Sequence, residues 1–122
     1  MKSQILFVDD DESILRLLEI AMKEYDNIEV LTQTDGLSAL DLLNSITPDL
    51  IILDIILPEM DGFELCQRIR NHEKYQTTPI IAFTSLPIED VKEKLIEAGF
   101  SFFFSKTMNF FEFIQNILTL IK

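Results

Sequence analysis

Little in this chain can build the commoner reactive centres. It has one cysteine, Cys66, so no disulfide can close within it and no cysteine metal cluster is available. That scarcity fits a reducing, cytoplasmic setting. It has one histidine, His72, in a polar stretch where a surface role is the simpler reading. No apolar run approaches the roughly 20 residues needed to span a bilayer. The opening residues 1–4 lead straight into a strand-like segment without a signal-peptide layout. Glycine is scarce, and no repeat, low-complexity segment or linker divides the 122 residues, which we expect to form one domain over 1–122. Positive charge is also short: 10 Lys and Arg against 21 Asp and Glu give a net charge of −11. Such a surface repels phosphate backbones and anionic membranes, so no direct nucleic-acid or membrane binding is expected. A solvated acidic surface accounts for most of that charge, and the remainder suits a cation or a basic partner.

What the chain does contain is a regular alternation. Apolar runs at 5–8, 80–83 and 102–104, a buried run at 50–54 that ends in an acid, and an alternating run at 28–32 read as strands. Between them lie helical patterns at 13–25, 37–44, 63–70, 87–98 and 109–121. Ile14, Leu17, Leu18, Ala21 and Met22 are expected to form the buried face of the first helix, and Leu37, Leu40 and Leu43 that of the second. Asp11 and Asn109 are expected N-caps, and Gly99 a helix stop. Five strands alternating with five helices predict an α/β fold. Its parallel five-stranded sheet would be doubly wound in the flavodoxin-like order 2-1-3-4-5, as a three-layer sandwich.

One residue breaks the apolar pattern. Asp54 follows Leu50-Ile51-Ile52-Leu53 and precedes Ile55-Ile56-Leu57. An ionised group inside a strand buried on both faces is costly, so Asp54 belongs at the carboxyl tip, facing a pocket. In parallel sheets such tips gather ligand chemistry. The other tips carry Asp9-Asp10-Asp11, Thr84-Ser85 and Ser105-Lys106. Carboxylates about 4 Å apart repel by roughly 4 kcal/mol per pair at an effective dielectric of 20. A lysine or a divalent cation relieves this, and an all-oxygen donor set favours Mg²⁺ over zinc. With Mg²⁺ and Lys106 neutralising phosphoryl oxygens and Thr84 donating a hydrogen bond, Asp54 could act as a nucleophile and form an acyl phosphate. Taken singly, Asp11 and Glu12 serve a helix N-terminus, Thr84 is a turn residue and Lys106 a solvated cation; the four tips together carry the signal.

The stretches Ile5-Leu6-Phe7-Val8-Asp9-Asp10-Asp11, Leu53-Asp54-Ile55-Ile56-Leu57-Pro58-Glu59-Met60-Asp61-Gly62, Ala82-Phe83-Thr84-Ser85 and Phe103-Phe104-Ser105-Lys106 resemble the receiver domain of bacterial two-component response regulators. The resemblance covers the whole chain. It implies a phosphoacceptor signalling switch in which Asp54 takes a phosphoryl group from the phosphohistidine of a sensor histidine kinase or phosphotransfer protein. Asp9, Asp10, Asp54 and the backbone carbonyl of Ile56 would hold Mg²⁺, with Asp9 acting mainly through water. Thr84 and Phe103 match the switch pair that remodels the face of the fourth helix, fifth strand and fifth helix, and Lys106 the phosphate-pairing lysine. Phe103 lacks the hydroxyl often found there, so burial alone would drive its movement. Such a domain is regulatory rather than an enzyme, with only slow self-catalysed phosphotransfer and dephosphorylation, and it passes its state to a downstream effector protein or domain.

Two departures from the family pattern stand out. Proline, in a cis bond, usually follows the lysine; here Thr107 does, so either a strained cis bond persists or the loop is trans and Lys106 is aimed differently. The residues two beyond Asp54 and Thr84, Ile56 and Leu86, are apolar and cannot orient an attacking water, which predicts a long-lived phosphoryl group. Ile56 also stands where phosphohydrolases of the haloacid-dehalogenase type carry a second aspartate, which argues against that activity. A docking module indifferent to phosphorylation is weakened by the presence of every pocket residue. Cys66 is expected to pack in the core, and Gly62 to adopt a positive φ. Seven of the ten phenylalanines lie between Phe100 and Phe113. Burial by helices on both faces of the last strand is the expected reason; the alternative is an apolar docking or homodimer face on the fourth helix, fifth strand and fifth helix.

Overall fold

Alternation of side chains along three central strands determines how this molecule is layered. The structure, a computed structural model, describes residues 2–121. Its strands are β1 (Ser3–Val8), β2 (Ile28–Gln33), β3 (Leu50–Leu53), β4 (Ile80–Thr84) and β5 (Phe102–Ser105). They pair in parallel in the order β2-β1-β3-β4-β5, as expected. Helices α1 (Glu12–Met22), α2 (Gly36–Leu43), α3 (Gly62–Arg70), α4 (Ile88–Ala98) and α5 (Phe110–Leu120) connect and cover them. Odd and even strand positions point to opposite faces. Leu6, Val8, Ile51, Leu53, Ile80 and Ala82 therefore pack beneath α2, α3 and α4. Ile5, Phe7, Leu50, Ile52, Ile81 and Phe83 pack beneath α1 and α5. Two-sided burial explains why the central strands read as unbroken apolar runs.

Local chemistry sets the helix ends. Asp11, Asp35, Asp61 and Asn109 each accept a backbone N–H from the first turn of α1, α2, α3 and α5. Gly99 closes α4 at φ 107°, a left-handed conformation that glycine adopts without a Cβ clash.

The helix faces differ from expectation. On α1 the buried residues are Leu15, Leu18 and Met22, while Leu17 is 47% exposed. On α2 they are Gly36, Ala39 and Leu43, and Leu37 is 54% exposed. Gly36 packs against Met60 and Leu65, so part of the buried face of α2 is set by contact with the loop before α3 and with α3 itself. The polar connection at 71–78 also hides a core residue. A 3-10 turn at Glu73–Tyr75 buries Tyr75, whose hydroxyl lies 2.7 Å from the Leu43 carbonyl oxygen and 2.6 Å from that of Ile46. Double-sided burial of the phenylalanine run is only partly realised. Phe102 is 44% exposed and Phe103 and Phe104 are half-buried, because β5 is an edge strand that its two flanking helices do not fully cover.

Candidate functional site

Each strand tip delivers its polar residue to the same edge of the sheet. The β1 ladder runs on into Asp9, whose N–H donates to the Gln33 carbonyl at 3.1 Å. Its Oδ1 accepts the Asp11 N–H at 2.9 Å, which ties the carboxylate to the start of α1. Asp54 continues β3 in the same way, donating its N–H to the Val8 carbonyl at 2.9 Å. Its Oδ1 accepts the N–H groups of Ile55 at 2.7 Å and Ile56 at 3.4 Å. Lys106 follows β5 and donates its N–H to the Thr84 carbonyl at 2.8 Å. Its ammonium then spans the gap, with Nζ 2.7 Å from Asp9 Oδ2 and 3.0 Å from Asp54 Oδ2. Asp9 and Asp54 are nearly inaccessible to solvent, and Asp10 is exposed at the mouth.

Close backbone packing keeps this arrangement tight. Gly62 opens α3 directly over the β3 tip and donates its N–H to the Ile55 carbonyl at 2.8 Å. A Cβ on Gly62 would overlap the Asp54 carbonyl oxygen and lie 2.7 Å from Ile55 Cα. The expected positive φ is therefore not the reason for glycine at 62. The residue with a left-handed backbone in that loop is Glu59, at φ 65°.

The electrostatics follow from two buried carboxylates sharing one ammonium, with a third carboxylate at the mouth. Burial, then repulsion from Asp9, pushes the Asp54 carboxyl above the ordinary aspartate range, and hydrogen bonding and attraction from Lys106 only partly offset them. Burial disfavours the Lys106 charge, but its hydrogen bonds to Asp9 and Asp54 and their attraction outweigh that and hold it above the usual lysine range. The site still carries excess negative charge. Asp9, Asp10 and Asp54 each offer a carboxylate oxygen, all within 4.8 Å of one another. A donor set made only of carboxylate oxygens, two of its three members buried, fits a hard divalent cation such as Mg²⁺.

Asp9, Asp10, Asp54 and Lys106 thus meet, as expected from the sequence. Thr84 lies beside them, fully buried, but its hydroxyl accepts the Leu86 N–H at 3.1 Å and makes no hydrogen bond to Asp54 or Lys106. Phe103 is half-buried against the core beneath α2, α3 and α4. The Ile56 side chain turns outward, 53% exposed, at the rim. His72 is exposed; Cys66 is buried among core residues, and burial pushes its thiol up to about 12.

The first departure noted in the sequence, threonine after Lys106, meets a structural answer. Among the described residues no peptide bond is cis, yet Lys106 reaches both carboxylates. A feature the sequence reading overlooked lies on either side of it. The Ser105 and Thr107 hydroxyls lie 2.7 Å apart, and the Thr107 N–H donates to Ser105 Oγ at 3.1 Å. The two hydroxyl residues bracketing the lysine were the available signal.

Residues 5–118 match the family model of the response regulator receiver domain. Among curated proteins, the polar-differentiation response regulator DivK of Brucella ovis is 31% identical over 117 residues, covering 96% of this chain and 94% of the relative. Several other curated relatives are much longer, and the chain spans 49%, 24% and 8% of three of them. Among solved structures, the chemotaxis response regulator CheY4 of Vibrio cholerae superposes with a TM-score of 0.90 at 27% identity, covering 98% of this chain and 99% of that one. The receiver domain of the sensor histidine kinase PA1611 of Pseudomonas aeruginosa superposes with a TM-score of 0.86 at 25% identity, covering 99% and 98%. That structure is described as holding a magnesium ion coordinated in its active-site cleft.

Proposed function

Because this chain belongs to the response regulator receiver family, whose members are phosphoacceptor signalling switches, we propose that Asp54 is its acceptor and that residues 1–122 form one receiver domain. The observation that carries the assignment is Lys106 Nζ lying 2.7 Å from Asp9 and 3.0 Å from Asp54 across the mouth of the sheet. An oxygen of the Asp54 carboxylate attacks the phosphorus of a phosphohistidine on a sensor kinase or phosphotransfer protein. A P–O bond forms, the P–N bond breaks, and the departing imidazole nitrogen takes up a proton. Asp54 suits this role because its carboxylate is held by backbone N–H groups on one oxygen and faces Lys106 with the other.

Asp9, Asp10, Asp54 and the Ile56 carbonyl would hold Mg²⁺, which when bound supplies positive charge to the phosphoryl oxygens. Lys106 would serve the same end, its ammonium exchanging its contacts with Asp9 and Asp54 for the transferred group's oxygens. Thr84 would exchange its bond from the Leu86 N–H for a bond donated to the phosphoryl group. That exchange releases the connection into α4 and opens the space into which Phe103 moves. The face of α4, β5 and α5 then differs between the two states, a population shift read by an effector protein or domain. The exposed rings of Phe102 and Phe111 on that face support its use as a docking or homodimer surface. Membership of the receiver family supports a place in the cytoplasm; separately, no described helix is long and apolar enough to cross a membrane.

The test is intact-mass measurement after incubation with acetyl phosphate and Mg²⁺. One added phosphoryl group in the wild type, and none in Asp54→Asn, is the expected result. An adduct that persists in the variant would overturn the assignment.

A further inference from the structure

The aim of Lys106 depends on what lies either side of it. Its long side chain has four rotatable bonds and a large rotamer entropy, so holding one ammonium between two carboxylates requires a well-determined backbone. On the N-terminal side the sheet supplies this: Thr84 pairs with Ser105, and the Lys106 N–H extends the ladder to the Thr84 carbonyl at 2.8 Å. Beyond Lys106 the ladder ends, and the chain must turn toward α5 without a neighbouring strand.

That turn is closed by side chains. Ser105 Oγ accepts the Thr107 N–H at 3.1 Å and lies 2.7 Å from Thr107 Oγ1, while the Met108 N–H donates to the Ser105 carbonyl at 3.1 Å. Two hydrogen bonds thus bridge the residues that flank Lys106, a third joins Met108 to Ser105, and all three span the lysine. Serine and threonine hydroxyls close backbone turns in this way. The peptide bond after Lys106 is trans, so the lysine's direction is maintained here by hydrogen bonds.

We propose that Ser105 and Thr107 are positioning residues that aim Lys106 at Asp9 and Asp54. The inference rests on the phosphoacceptor reading for its consequence in phosphotransfer, but the aim itself is a property of the unphosphorylated protein. Neither hydroxyl touches the carboxylates; each acts through the lysine between them. The same two residues also account for an otherwise unexplained outcome, a lysine directed into the site with threonine in the position after it.

The experiment compares wild type, the double variant Ser105→Ala/Thr107→Val and the conservative Thr107→Ser, all confirmed folded by circular dichroism. The first readout is the NMR order parameter of the Lys106 ε-methylene in magnesium-free protein, referenced to exposed Lys92 and Lys94. The wild type should be ordered, the double variant should fall to the surface-lysine level, and Thr107→Ser should match the wild type. The second is the rate constant for phosphorylation by acetyl phosphate at saturating Mg²⁺. A displacement of about 1 Å at a reacting group costs on the order of a hundredfold, so the double variant should lose at least roughly tenfold and Thr107→Ser should retain the wild-type rate. In a Lys106→Ala background the same double substitution should have no further effect. An unchanged Lys106 order parameter in the double variant overturns the proposal, as does an equal loss of rate with Lys106 already removed. If the wild type takes up no phosphoryl group, the phosphoacceptor reading fails, and the order parameters alone decide whether the hydroxyl pair aims the lysine.

Discussion

Replacing Asp54 by asparagine should stabilise the magnesium-free protein. Asp9 and Asp54 carboxylate oxygens lie within 4.8 Å of each other, a repulsion of at least about 3.5 kcal/mol at an effective dielectric of 20. Lys106 at 3.0 Å attracts Asp54 by about 5.5 kcal/mol on the same scale. Those two interactions leave at most roughly 2 kcal/mol in favour of the charge, whereas burying an ion costs several kcal/mol. Burial therefore decides the sign, in agreement with the raised Asp54 pKa. Asparagine keeps an oxygen for the Ile55 N–H but turns its NH₂ toward Lys106, which loses that acceptor and keeps Asp9 at 2.7 Å. The expected gain is about 1–2 kcal/mol, or roughly 4–8 °C in Tm for a domain of this size.

The assay is thermal unfolding in EDTA and again with MgCl₂. Added Mg²⁺ should reverse the order, because the wild type gains about 2.7 kcal/mol at a concentration 100 times its Kd while the variant lacks one of the three carboxylates. The pH dependence has a definite sign. The folded protein holds the Asp54 proton more tightly than the unfolded chain does. Ionised Asp54 therefore costs stability above its folded pKa, and the cost disappears as pH falls through that value toward the ordinary aspartate range. The gap between variant and wild type should close over the same interval. An asparagine variant less stable than wild type in EDTA at neutral pH would refute the reasoning.

Three other outcomes follow from single contacts. Ile56→Asn replaces an exposed apolar rim residue with one able to hydrogen-bond water, so the phosphorylated domain should lose its label several-fold faster, on the general scale of positioned proton-transfer groups; wild-type label lost within seconds in Mg²⁺ would contradict the long lifetime expected here. Gly62→Ala forces a methyl group against the Asp54–Ile55 backbone, which cannot yield as a side chain would; chemical denaturation should show a loss of about 1–3 kcal/mol. Tyr75→Phe leaves the Leu43 and Ile46 carbonyls without their shared hydroxyl donor; a loss of about 1–2 kcal/mol is expected, measured by urea unfolding.

The strand tips were legible in the sequence because an acid in an apolar run has few affordable places to sit. Asp54 could be assigned to a carboxyl tip on desolvation alone, and the alternation of strands and helices then brought Asp9, Asp10, Thr84 and Lys106 to the same edge. Helix faces were less legible. Period 3.6 identified α1 as a helix but not that Leu15 rather than Leu17 faces the sheet, since both stripes satisfy the spacing. Tyr75 was hidden because its neighbours are polar, and the carbonyls that its hydroxyl serves come from residues about 30 positions away in sequence.

Gly62 shows the same division. Its presence could be read as conformational freedom, and the actual requirement, contact with the backbone of Asp54 and Ile55, exists only once α3 is laid over β3. Lys106 shows it most sharply. Residue type and position marked it as a cation for the acids, but the identity of the following residue left its direction open. The chain's own order of residues determined the alternation, the strand order and which charges share an edge, because burial and connection rules are local or topological. Tertiary packing decided where Lys106 points, which helix faces are covered and which loop residues are core. Those outcomes depend on hydrogen bonds and steric contacts between segments that no periodicity along the chain records.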